Sequence, residues 1–167
     1  MASTPGVLDL SGNNIGGNVP NEFRKGCRLE MLDLCRNFLQ GQIPRSLVNC
    51  KNLKLLDLEN NQLKDTFPCE LSALSQLQVL VLKSNKFGGR IACPGEDSIW
   101  PLLQILNLAS NRFSGEITSQ FIPTRRSMMA GTKEMQLETD ELKYSSTLAG
   151  LGIGNVADLT LTKINYA

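Results

Sequence analysis

The 167-residue chain contains no histidine. That absence removes the commonest general base, and with it His-dependent nucleophile triads and imidazole metal ligands. The chain also lacks any run of 18 or more apolar residues, so the sequence offers no segment to span a bilayer. A net charge of +1 argues against bulk binding to nucleic acid or to an anionic membrane. Among its asparagines there is no N-x-S/T acceptor for glycosylation. The opening "MASTPGVLDL" has neither a basic n-region nor a long apolar h-region, so no secretory signal is recognisable, and the expectation is an intracellular product if Met1 is the true start. No cofactor motif emerges either. The glycines of "AGLGIGNVA" (Gly150, Gly152 and Gly154) miss the G-x-G-x-x-G spacing and no Walker lysine follows, so they read as a flexible hinge.

What the chain does have is a ruler. Around Asn61, leucines stand at Leu53, Leu56, Leu58 and Leu63. Moving back 24 residues finds Leu29, Leu32, Leu34, Asn37 and Leu39, and moving forward 24 finds Leu77, Leu80, Leu82, Asn85 and Phe87. A fourth copy (Leu103, Leu106, Leu108, Asn111, Phe113) is displaced by 26 because "ACPGEDSIW" lengthens the preceding unit, and a partial copy opens the chain at Leu8, Leu10, Asn13 and Ile15. The pattern L-x-x-L-x-L-x-x-N-x-L is that of leucine-rich repeats, and it predicts a parallel β-solenoid of about five repeats over residues 1–121.

Each residue type has a physical task in such a unit. The L-x-L alternation reads as a short strand with its leucines turned inward. One strand cannot bury them, but strands stacked at ~4.8 Å can, and each interior Leu or Phe then contributes roughly 1.5–3 kcal/mol. The ladder asparagines Asn13, Asn37, Asn61, Asn85 and Asn111 fall where strand gives way to turn, and their amides can both donate to and accept from backbone groups there. Phe23, Leu47, Leu71 and Phe121, each ten residues after a ladder Asn, are expected to fill the convex side.

Four residues past the Asn a glycine recurs at Gly17, Gly41, Gly89 and Gly115, replaced by Asp65 in the third unit. It implies a turn that disfavours a Cβ. The resulting N-x-L-x-G-x-I-P signature marks the plant-specific subclass of the repeat. The stretch from "LVNCKNLKLLDLENNQ" through "WPLLQILNLASNRFSGEI" resembles the C-terminal ectodomain repeats of plant leucine-rich-repeat receptor-like proteins. That resemblance implies an α/β-type solenoid with a parallel sheet on the concave face, a mostly irregular convex side and an irregular C-terminal segment. It further implies a non-enzymatic module recognising a protein or peptide in defence or developmental signalling, possible partners including a co-receptor kinase, and a plasma-membrane or extracellular setting. Residues 122–167 break the ruler. "RRSMM" and "DLTLTK" there resemble a remodelled version of the family's non-repeat island, or a capping tail, and the tail's acidic groups, interleaved with Lys133 and Lys143, read as a solvated face.

Cys69 and Cys93 both lie eight residues after their ladder Asn, which puts them in adjacent coils at a spacing a disulfide tolerates. Cys27 and Cys50 are offset by one residue, and the favoured reading is that Cys50 stands in for a core leucine. Cys35 is left as a free thiol on the sheet face.

The residues alternating with the core leucines form the concave face. Met31, Asp33, Leu55, Asp57, Glu59, Val79, Val81, Lys83, Ile105 and Asn107 are its candidate partner-binding residues, with an apolar first column and an Asp-rich middle one. Apolar anchors beside polar groups suit protein or peptide recognition. The same residues leave other readings open. An inhibitor of a cell-wall-degrading enzyme or a truncated intracellular paralogue acting as a scaffold or decoy would use the same scaffold. The N-terminal coil has no polar cap, so self-association through uncapped ends is also expected.

Overall fold

The computed structural model describes residues 6–95 and 100–115 in full and the backbone of two further strands at 135–143 and 160–166. Phe121, the "RRSMM" stretch and the glycines Gly150, Gly152 and Gly154 lie outside the described residues. In chain order the strands are β1 (Gly6–Asp9), β2 (Gly16–Asn18), β3 (Leu29–Asp33), β4 (Phe38–Gly41), β5 (Leu55–Asp57), β6 (Gln62–Leu63), β7 (Val79–Val81), β8 (Gly88–Arg90), β9 (Ile105–Asn107), β10 (Arg112–Ser114), β11 (Met135–Lys143) and β12 (Thr160–Tyr166). Two 3-10 turns, Arg45–Asn49 and Cys69–Ala73, sit between β4 and β5 and between β6 and β7.

The L-x-L segments form one parallel sheet in the order β1-β3-β5-β7-β9. Its register follows the sequence ruler, pairing Leu32 with Leu56, Leu56 with Leu80 and Leu80 with Leu106. The two-residue lengthening before Trp100 therefore leaves the sheet undisturbed and is absorbed elsewhere in the coil. The segments after each Asn form a second layer, paired as β2-β4-β6 and β8-β10. The architecture is a β-solenoid with short 3-10 turns, consistent with a repeat too brief for a full helix on its convex side. The C-terminal segment, expected to be irregular, carries β11 and β12 paired antiparallel.

Inside, one cluster runs from Leu32 to Leu108, with Leu47 and Leu71 of the 3-10 turns buried in it and Phe23 packed at its margin. Trp100 is fully buried and donates its indole N–H to the Leu71 carbonyl at 2.8 Å, so the lengthened coil supplies both an apolar plug and a partner for a turn carbonyl. Phe67 meets Trp100 edge-on, with ring centroids 5.9 Å apart.

Two disulfides staple neighbouring coils. Cys69 and Cys93 are joined across a Cα separation of 5.5 Å. Cys50 corrects the favoured sequence reading: it is buried in the core as a leucine substitute would be, and it is also bonded to Cys27 across 4.6 Å. The chain turns just before Cys27, at Gly26, whose φ of +81° lies in the left-handed region. Cys35 keeps a free, buried thiol.

Candidate functional site: the concave sheet and its polar ladders

From Asn37 onward, each ladder asparagine reaches backward to the coil before it, whereas Asn13 donates, among the described residues, only to the Ser11 carbonyl. Asn37 accepts from the N–H groups of Asn13 and Ile15, both at 3.0 Å, and donates to the carbonyls of Leu10, Leu34 and Cys35 at 2.9, 3.0 and 3.2 Å. Asn61 repeats the pattern with Leu39 N–H and the carbonyls of Leu34, Leu58 and Glu59. Asn85 takes Leu63 N–H and donates to Leu58, Leu82 and Lys83. Asn111 takes Phe87 N–H and donates to Leu82, Leu108 and Ala109. One side chain thus satisfies several backbone groups that the turn would otherwise leave buried and unpaired. Immediately before each rung the backbone is left-handed, at Gly12, Arg36, Asn60, Ser84 and Ser110. Sequence reasoning missed this position. Its residue types differ from coil to coil, and the only hint is that most of them tolerate the left-handed conformation through small size or a local side-chain hydrogen bond.

The middle column of the concave face is wired to the backbone as well. Asp9, Asp33, Asp57 and Asn107 each accept, through Oδ1, the N–H two residues ahead, from Ser11, Cys35, Glu59 and Ala109 at 2.9, 2.9, 2.8 and 3.1 Å. These bonds close the strand ends. Val81, in the same column, has no oxygen to do so. A structural task therefore accounts for the repeated "LDL" without any ligand. Asn107 also keeps a buried Nδ2 with no partner among the described residues.

Met31, Leu55, Val79 and Val81 are fully buried, Asp33 and Asp57 nearly so, and Glu59 is buried beside a half-buried Lys83. Ile105 is half-buried. Both faces of the sheet are closed to solvent along β3, β5 and β7, and β12 lies beside β9. The accessible polar groups run along the margins of that face: Lys54 donates to Glu30 at 2.7 Å, Gln104 to Gln78 at 3.3 Å, and Lys83 faces Glu59 at 3.3 Å. These pairs bridge successive coils. Salt bridges this close to solvent contribute little to stability, so their alternation of charge matters more for what the margins attract.

Burial dominates the electrostatics of the column. It pushes the carboxyl groups of Asp33 and Asp57 above the usual carboxylate range, against the opposing effect of the N–H bonds each accepts. The charge of Asp33 raises Asp57 further, Asp9 acts on Asp33 in the same direction, and Arg36 works the other way on both. The Cys35 thiol is raised by burial and then by both carboxylates. Asp33, Cys35 and Asp57 do offer three ligand atoms within 4.8 Å. Yet each carboxylate already accepts an N–H and the thiol resists deprotonation, so the trio suits a locked strand end better than a metal. On the lateral face, Lys64, Lys86 and Arg112 line a shallow cavity of about 460 Å³ floored by Gly88 and Gly89.

Leucine-rich-repeat family profiles match residues 27–87, 7–25 and 102–122. The chain belongs to the leucine-rich-repeat family. Within it, solved structures similar to this one include plant receptor ectodomains. The leucine-rich-repeat ectodomain of the receptor kinase SOBIR1 from Arabidopsis thaliana is 30% identical, with 69% of this chain and 61% of that one covered and a TM-score of 0.62. The BIR2 ectodomain from the same plant is 33% identical over 72% and 62%, with a TM-score of 0.63. The ectodomain of the Arabidopsis receptor kinase HAESA, solved with an extended IDA peptide hormone, is 31% identical over 69% and 19%, with a TM-score of 0.63. The chain thus spans about a fifth to three fifths of the length of these neighbours. No curated protein matches it. Among the described residues no helix is long and apolar enough to cross a membrane.

Proposed function

We propose that this chain is a non-enzymatic recognition segment of a plant receptor-like ectodomain, binding a protein or peptide along the polar margins of the concave sheet in defence or developmental signalling. The observation that carries the reading is the five-stranded parallel sheet whose strand ends are fixed by the Asp33, Asp57 and Asn107 bonds. Such a surface loses little conformational entropy on binding, and rigid surfaces convert contacts into affinity more efficiently than mobile ones. The HAESA neighbour, solved with a peptide hormone and in another structure with the co-receptor SERK1, supports a peptide ligand and a co-receptor kinase as the partner classes. Two disulfides between adjacent coils support an oxidising, extracellular setting.

Because the apolar column of Met31, Leu55 and Val79 is closed over, a partner meets the margins first, at Lys54, Gln78 and Lys83. The test is selection of a displayed random-peptide library against the purified chain, followed by competition among variants. Binders weakened at least tenfold by Lys83→Glu, but not by Lys25→Glu, are the expected result. Binders indifferent to Lys83→Glu and lost with Arg112→Glu would move the site to the lateral cavity.

A further inference from the structure

The outer face of the concave sheet is buried by something the repeats do not supply. Met31, Leu55, Val79 and Val81 are 0% exposed, as buried as the inward leucines, yet none of them belongs to the leucine cluster on the other side of the sheet. The rest of each coil is committed to that other side: β4 and β6 pack onto the cluster through Leu39 and Leu63, and the 3-10 turns through Leu47 and Leu71. The buried area has an outline. It runs from Met31 on β3 to Asn107 on β9 and stops short of β1, where Val7 and Asp9, in the same two columns, are exposed. Asn107 is fully buried there with its Nδ2 unpartnered among the described residues, a donor that an open face would leave to water.

Among the described elements only β11 and β12 lie outside the repeats, and β12 lies beside β9. Their register sets apolar residues against apolar ones, Met135 opposite Tyr166, Leu137 opposite Ile164 and Leu142 opposite Leu161. A two-stranded ribbon is marginal in water by itself and needs a surface to pack on. The reach is sufficient. With seven residues, β12 extends about 23 Å, against about 14 Å from β3 to β9 across three strand spacings. We infer that the β11–β12 ribbon docks on the concave face as a second layer, from β9 across to β3, and is the occupant that closes over Met31, Leu55 and Val79. The burial arises within a single chain, which sets the chain's own segment ahead of a second copy or a bound partner. Docking holds whether or not the face binds anything else. Where the proposed recognition also holds, a partner that takes the apolar column displaces the ribbon first.

The test needs no partner, so it decides the docking separately from the recognition reading. Met31 is a built-in probe, because its thioether lies on the covered face and its oxidation by dilute hydrogen peroxide can be followed by peptide mass spectrometry in the full chain. Thr162→Pro and Ile164→Pro each remove a backbone N–H from β12 and disfavour its pairing with β11. Trp100, the single tryptophan, reports on the leucine core through its emission. Met31 is expected to oxidise about tenfold more slowly in the parent than in either proline variant, with Trp100 emission unchanged. Oxidation of Met31 in the parent as fast as that of free methionine would overturn the docking, and so would equal protection in the parent and both variants. If the prolines disturb Trp100 emission, a photocrosslinker placed by Lys163→p-benzoylphenylalanine decides instead. Crosslinks from β12 to residues 55–59, 79–83 or 105–109 are expected, and crosslinks to residues 116–167 alone would overturn the assignment.

Discussion

At the residue scale, the same side-chain type does different work according to which groups surround it. Asp57 sits where a ligand contact was expected, yet it is buried, bonded to the Glu59 N–H and held above the usual carboxylate range by desolvation. A carboxyl raised in the folded state binds its proton more tightly there than in the unfolded chain. Its contribution is therefore most favourable below the unfolded value of 3.8 and is lost as pH rises through the raised folded value. Glu70 has the opposite sign, since its own backbone N–H and then Arg45 lower it. The comparison that isolates Asp57 is with Asp57→Asn, which retains an oxygen for the Glu59 N–H and removes the charge. That variant is expected to melt higher than the parent at pH 7.5, with the advantage shrinking toward pH 4.5. Thermal scans at the two pH values check it, and an advantage that grows on acidification would show that Asp57 is stabilised as a carboxylate.

At the scale of elements, the coil is the unit and its staples are covalent as well as hydrogen-bonded. Cys27–Cys50 and Cys69–Cys93 enclose similar stretches, with sequence separations of 23 and 24, so loop entropy gives each about 3 kcal/mol. Their surroundings differ. Cys50 is fully buried within the leucine cluster, whereas Cys69 and Cys93 are only partly buried against it. Cys27→Ser with Cys50→Ser should therefore cost more than the bridge alone, by about 1–3 kcal/mol for placing a hydroxyl in the core. Cys69→Ser with Cys93→Ser should cost about 3 kcal/mol. Urea denaturation of both pairs measures this, and equal losses would mean that core packing at Cys50 adds nothing.

For the whole molecule, a stack in which each coil touches its neighbours behaves nearly one-dimensionally, and its ends open first. Exposure already grades that way, from the open β1 to the fully buried strands β5 and β7. Hydrogen exchange is expected to be fastest at the Leu10 and Gly12 amides and slowest at those of Leu58 and Leu82, although all four make equivalent bonds to the next coil. Uniform protection across the four would mean that the stack unfolds as one cooperative block, without end fraying.

The 24-residue ruler by itself determined the solenoid, the sheet register and the positions of the Asn rungs, because a repeated local pattern imposes the same local geometry on every coil. It also placed Cys69 beside Cys93. What only the tertiary structure decided were features set by the next coil or by another segment. Cys27 is bonded to Cys50 despite their one-residue offset in the ruler, and Trp100 fills a site built by Phe67 and Leu71 of the coil before it. Whether a strand residue is exposed or buried is likewise invisible in the alternation of side chains, which assigns each one a face but not what covers that face. Asp57 and Met31 are buried, and Val7 is open, for that reason alone.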